Sequence, residues 1–222
     1  MSPPEIDNSL LTLMLGDGTL EPTWPVTPVP LQVGPLSAPQ GAAWWAYFPQ
    51  DALIGIGADR SDHAAVALVG RHGGVFGPPE GQRSLRAHVI APGWAYRVDG
   101  TAAHNEPTRE AQWLLHAAAA TQGLIGQIAQ WSFCMQHHTP MQRLASWLLH
   151  WGAQTAAGSF RLPLHAMPSA LRQCVMALSV VSTDAQQHSG IEVNEGVLSV
   201  SQPQRLLAQA CTCHQHIALR KS

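Results

Sequence analysis

The densest set of reactive side chains lies near the C-terminus, in Cys211-Thr212-Cys213-His214-Gln215-His216. Two thiols and two imidazoles within six residues offer soft and borderline donors, the chemistry of a zinc-type site. The spacing departs from the usual C-x2-C, so an ordinary cysteine-containing tail is the competing reading. A second set, Cys134, His137 and His138, falls at i, i+3 and i+4 and shares one face if that stretch is helical. Here the competing reading is a buried thiol beside two histidines placed at a helix C-terminus, where cations are favoured. No other cofactor is expected. The four cysteines (Cys134, Cys174, Cys211 and Cys213) do not form an evenly spaced disulfide framework. A reducing cytoplasm is therefore the expected compartment.

Catalytic signatures are missing. There is no nucleophile elbow, no P-loop and no dinucleotide fingerprint, so the chain is not expected to be an enzyme. The one Gly-rich stretch, Gly70-Arg71-His72-Gly73-Gly74-Val75-Phe76-Gly77, does not lead into a helical pattern and reads as turns. Charged residues make up 12% of the 222 and the formal net charge is −2, far from the basic excess of a general nucleic-acid surface. No apolar run reaches the roughly 20 residues of a membrane span.

The elements that must position these groups change character along the chain. Residues Asn8 to Leu15 suit a short helix. Between Glu21 and Gln40, prolines recur every few residues, which leaves extended chain, turns or an edge strand. Short apolar runs follow: Trp44 to Phe48, Ala52 to Ile56, Ala64 to Val69, Ala87 to Ala91 and Trp94 to Val98. Gly and Pro separate them, as in a β-sandwich or barrel. Past Asn105-Glu106-Pro107 no proline occurs until Pro140, and a helix is expected to about His137. Within it Leu114, Ala117, Thr121, Leu124, Ile128, Trp131 and Met135 alternate at spacings of three and four, a heptad seam with one polar member. That seam predicts a homodimer; the alternative is the central helix of a monomeric core.

A second helix is expected over Met141 to Trp151, with Gly158 and Pro163 marking a loop. A short helix follows Pro168 and another runs from about Val175 to His188. Ile191 to Val193 and Val197 to Val200 flank Asn194-Glu195-Gly196 as a hairpin. A last helix begins near Pro203. Helices followed by a hairpin match the order of a winged helix-turn-helix.

At this point the chain resembles the Crp/Fnr transcription regulators. Ala46-Tyr47-Phe48-Pro49, Val66-Ala67-Leu68-Val69-Gly70-Arg71-His72-Gly73, Met141 to Leu149, Leu162-Pro163-Leu164, and Gly196-Val197-Leu198-Ser199-Val200 resemble stretches common in one branch of that family. The resemblance implies an α+β fold of three parts. Residues 1–104 would form a double-stranded β-helix (jelly-roll) of the cyclic-nucleotide-binding type. Residues 105–138 would form the dimerisation helix, and residues 139–222 a winged helix-turn-helix. It implies a dimeric, DNA-binding transcription regulator, acting with or without an effector.

Two departures matter. In the pocket, the family's Gly-Glu-x-Gly turn is Gly74-Val75-Phe76-Gly77, so valine stands where an acid takes the ribose. Arg83-Ser84 follow at nearly the family's phosphate-binding position. The resemblance therefore gives Gly74, Gly77, Arg83 and Ser84 as the ligand set. At the recognition helix, the DNA-contacting positions are Met176, Ala177 and Val181, with Arg172 and Arg143 nearby. No Lys or Arg occurs from Gln173 to Gln204, while Asp184, Glu192 and Glu195 are acidic, which opposes a phosphate backbone. The alternative is a degenerate relative that acts through protein contacts of this apolar face.

Overall fold

The computed structural model describes residues 5–16, 26–39, 41–42, 44–58, 65–77, 85–100, 107–155, 160–181 and 190–217. The first helix, α1 (Ser9–Leu15), is capped by Asn8, whose Oδ1 accepts from the Leu11 amide at 2.9 Å. The Asn8 amide nitrogen donates to the Pro49 and Gly73 carbonyls, so one buried side chain pins the helix to two loops.

Eight strands follow: β1 (Val26–Leu31), β2 (Gly34–Pro35), β3 (Trp45–Pro49), β4 (Leu53–Ala58), β5 (Ala67–Val69), β6 (Val75–Gly77), β7 (Leu85–Ala91) and β8 (Gly93–Asp99). They form two four-stranded antiparallel sheets, ordered β1-β8-β3-β6 and β2-β7-β4-β5. The proline-rich β1 takes a sheet edge, where missing amide donors cost least. The Gly-rich stretch is not all turns as its composition suggests. Val75 to Gly77 pair with Tyr47 to Trp45, because Val75 buries its side chain between the sheets.

Strand β3 is buried on both faces. Trp45 and Tyr47 enter the core between the sheets, while Ala46 and Phe48 meet α1 and Trp113 on the other side. Its unbroken apolar run reflects this double burial.

The long helix α2 (Pro107–His137) has 31 residues. At its end Thr139 starts α3 (Pro140–Gln154) with a capping box to Gln142, and Arg143 Nε donates to the His138 carbonyl at 2.6 Å. The elbow between α2 and α3 is thus set by local chemistry. β9 (Phe160–Pro163) then joins the hairpin β10 (Ile191–Asn194) and β11 (Val197–Val200) in a three-stranded sheet, ordered β10-β11-β9. The segment read as a loop before Pro163 is therefore a strand. At the hairpin turn Glu195 and Gly196 have φ of 51° and 77°, the left-handed pair that a tight two-residue hairpin turn requires.

After β9 come a 3-10 turn (Leu164–Ala166) and α4 (Ser169–Val181), which runs unbroken through Val175, where a second helix was expected to begin. Nothing from Ser169 to Val181 is Gly or Pro, so no residue there breaks the helix. Residues 182–189, the rest of the second expected helix, lie outside the described residues. Two short helices close the chain, α5 (Pro203–Leu207) and α6 (Cys213–Ile217). One apolar cluster runs from the roll (Leu53, Leu68, Ile90) through α2 (Trp131, Cys134) into α3, α4 and the small sheet.

Two glutamines stitch the helices to the roll. β5 is the free edge of its sheet. Gln127 on α2 accepts from the Leu68 amide at 3.1 Å and donates to the Leu68 carbonyl at 3.2 Å. Gln154 on α3 accepts from the Gly70 amide at 3.2 Å. Both side chains are buried, and together they cover an edge that would otherwise offer open backbone groups.

Candidate functional site

The thiols come together, but not in the sets their spacing suggested. Cys134 projects from the last turns of α2. The turn between α5 and α6 brings Cys211 and Cys213 to it across 77 residues of sequence, and the Cys134 and Cys211 sulfurs lie 3.6 Å apart. All three sulfurs lie within 4.8 Å of one another and all three residues are buried. Ser146 of α3 sits against Cys211, its Oγ 3.0 Å from the sulfur and accepting from the Cys211 amide at 3.1 Å. Gln130 Nε2 donates to the Cys213 sulfur at 3.2 Å.

The environment sorts the three protons. Burial, then the neighbouring Cys211, pushes the Cys134 thiol far above its ordinary value. Burial raises Cys213 as well, with Cys211 adding to it. Burial also opposes ionisation of Cys211, but hydrogen bonds from Ser146 and Cys213 outweigh it, and the thiol is held below its ordinary value. Cys211 is the readiest thiolate of the three.

The histidines stay outside this cluster. His214 Nδ1 donates to the Cys211 carbonyl at 2.6 Å, and His216 is exposed. His137 stacks on Phe133 at 4.3 Å, and His138 lies near the same ring. The fourth cysteine, Cys174, donates to the Ala170 carbonyl within α4.

In the roll, the glycines of the expected ligand set have another use. A Cβ at Gly77 would lie 2.0 Å from the Trp45 ring, and one at Gly74 would lie 2.9 Å from Phe48. The protein's own aromatic rings occupy the space that these glycines leave open. Beside them is an apolar hollow of about 230 Å³ bounded by Trp44, Trp45, Phe76, Trp113 and Leu114. Among the described residues no charged side chain lines it, and Val75 is buried where an acid would be needed. Arg83 and Ser84 lie outside the described residues.

The C-terminal module presents a mixed face. On α4, Met176 is 55% exposed and Ala177 is exposed, with Arg172 half-buried one turn earlier. The Val181 side chain lies outside the described residues. Arg143 serves the elbow of α2 and α3 rather than this face. Exposure of Met176 and Ala177 is the opposite of the burial that a protein-packed recognition helix would show within the chain. Arg161 on β9 and Glu192 and Glu195 on the hairpin are exposed.

The seven seam residues do not share one surface. Leu124 and Ile128 pack on the core between the sheets, and Trp131 and Met135 on the cluster that reaches the C-terminal module. Leu114 and Thr121 are exposed. The open stripe is one residue further on: Leu115, Ala118, Gln122, Ile125, Ala129 and Ser132 are all exposed, again at spacings of three and four.

The whole arrangement has close counterparts among solved structures. A transcriptional regulator of the CRP family from Thermus thermophilus, TTHB099, is 11% identical, with a TM-score of 0.56 over 88% of this chain and 100% of that one. The fold is that of the CRP/FNR transcriptional regulators. FixK2 from Bradyrhizobium japonicum is 15% identical, with a TM-score of 0.54 over 84% of this chain and 98% of that one. TTHA1359, a CRP/FNR family regulator also from Thermus thermophilus, is 17% identical, with a TM-score of 0.54 over 82% of this chain and 97% of that one. No protein-family model matches the sequence, and no curated protein sequence matches it. Among the described residues no helix is long and apolar enough to cross a membrane.

Three features were beyond sequence reasoning. Gln127 and Gln154 looked like ordinary polar helix positions. Cys134 carried no mark of its distant partners. The glycines of the roll matched a ligand motif, and only the aromatic rings above them reveal the packing role.

Proposed function

We propose that this chain is a homodimeric, DNA-binding transcription regulator whose β-roll does not take a cyclic nucleotide. The observation that carries the reading is the uncovered face of α4 beside the three-stranded wing, at one end of a long helix whose other end leaves an apolar stripe open. A second copy is the occupant that suits this stripe. No Asp, Glu, Lys or Arg lies between Glu110 and Arg143, so two such helices meet without like-charge repulsion. A two-fold pair presents the same patch from both sides, and the small residues Ala118 and Ala129 allow close approach. The pair would place two α4 faces side by side, as two half-sites on DNA require.

Two features stand against a cyclic nucleotide. Among the described residues the hollow between β3, β6 and α2 offers no charged group to a phosphate, and a buried ribose hydroxyl beside Val75 would lack a partner. The DNA contact is lean in charge. Arg161 and Arg172 from two protomers would neutralise about four phosphates, which predicts a log K against log salt slope of about −4. Fluorescence anisotropy with the DNA upstream of the chain's own coding region tests the proposal. Binding that weakens along that slope is expected. No binding at low salt would overturn it, and binding improved by cyclic AMP would overturn the nucleotide part.

A further inference from the structure

The cluster of Cys134, Cys211 and Cys213 has the geometry of a ligand set. Sulfurs bound at about 2.3 Å to one centre stand about 3.8 to 4.0 Å from each other in tetrahedral or planar geometry and about 3.4 Å in a three-coordinate pyramid. Here two are 3.6 Å apart and all three are within 4.8 Å, so small side-chain rotations would close the set around a shared centre. The donors are three and only sulfur. Among the described residues no His, Asp or Glu joins them, and His214 turns its Nδ1 to a backbone carbonyl instead. Structural zinc is almost always four-coordinate, whereas all-thiolate sites select soft ions.

Charge narrows the choice further. The site is buried, and its polar neighbours, Ser146 and Gln130, are neutral. A buried complex far from neutrality is costly. Three thiolates leave a charge of −1 on a divalent ion and −2 on a monovalent one, but none on a trivalent ion. We propose that Cys134, Cys211 and Cys213 form a three-sulfur site for trivalent arsenic, the soft, thiophilic ion that charge balance selects.

The arsenic reaction balances without any oxidant. Three S–As bonds form on arsenous acid and three As–O bonds break. Each hydroxyl leaves with one thiol proton as water. Filling the site would tie α6 to α2 beside α3, so the long helix and the C-terminal module would be joined by three strong bonds in addition to apolar contact and the Gln130 hydrogen bond. Ion concentration would thereby set how firmly the module is held.

The test uses the full chain kept reduced. Arsenite is added, the excess is removed by gel filtration, and bound arsenic is counted by mass spectrometry. One ion per chain is expected for the unaltered protein and for Cys174→Ser. At least a tenfold loss of affinity is expected for Cys134→Ser, Cys211→Ser and Cys213→Ser. Because a serine in the core could unfold the chain, X-ray absorption on the unaltered complex gives an independent reading: a shell of three sulfurs and no lighter atom. Failure of arsenite to bind, binding that survives loss of Cys134, or oxygen or nitrogen in the shell would each overturn the proposal.

Discussion

The two halves of the long helix differ in composition and in surroundings. Its C-terminal half is clamped: Gln127 bonds both backbone groups of Leu68, Trp131 is 8% exposed, and Cys134 is fully buried. Its N-terminal half carries Leu115 at 71% exposure and, near the midpoint, Ile125 at 61%. One half is a structural spine shared by the roll and the C-terminal module. The other packs Trp113 against the roll and leaves Leu114 and Leu115 open. The contrast shows that a heptad pattern alone does not name the face left open.

Substitutions on the two halves should separate these roles. The largest effect belongs to Trp131→Ala, which empties a site in the cluster joining roll and module. It should cost about 3 to 5 kcal/mol in urea unfolding. An acid titration probes the same clamped side through α3. Burial holds His150 neutral and lowers its pKa from 6.5 to about 4. The unfolded chain then binds the proton first, so stability should fall as pH drops from 6.5 towards 4, by about 3 kcal/mol in all. His150→Leu should flatten that part of the pH profile. An unchanged profile would show that His150 does not set it.

Gln127→Leu should cost about 2 kcal/mol, because it leaves the Leu68 amide and carbonyl buried without partners. Faster hydrogen exchange at Leu68 would locate the damage. Leu115→Ala, on the open half, should change the stability of an isolated protomer by less than about 0.5 kcal/mol while weakening self-association. A large monomer effect there would erase the contrast.

The sequence made the outline readable for physical reasons. A proline-free interval between Pro107 and Pro140 marks the helix, and short apolar runs broken by Gly and Pro mark the roll. The seam came out one residue away from the open stripe, a rotation of about 100° about the helix. Charges usually mark a helix's wet side, and from residue 111 to 142 there are none. Two adjacent faces, one ending in Leu124 and Ile128 and one in Ile125 and Ala129, therefore fit the same period. The thiol site was half legible. Cys211 and Cys213 stood together, but Cys134 reaches them only through the fold, and the neighbouring histidines drew attention away. At α4 the expected break was absent because no residue there enforces a turn.

Sedimentation equilibrium on Ile125→Glu and Ile128→Glu tests the pairing of the long helix most directly. The unaltered chain should be a dimer. Ile125→Glu should be a folded monomer with an unchanged circular dichroism spectrum, whereas Ile128→Glu should lose stability because it faces the chain's own core. A dimer that persists in Ile125→Glu, or an unaltered chain that is monomeric, would contradict the account.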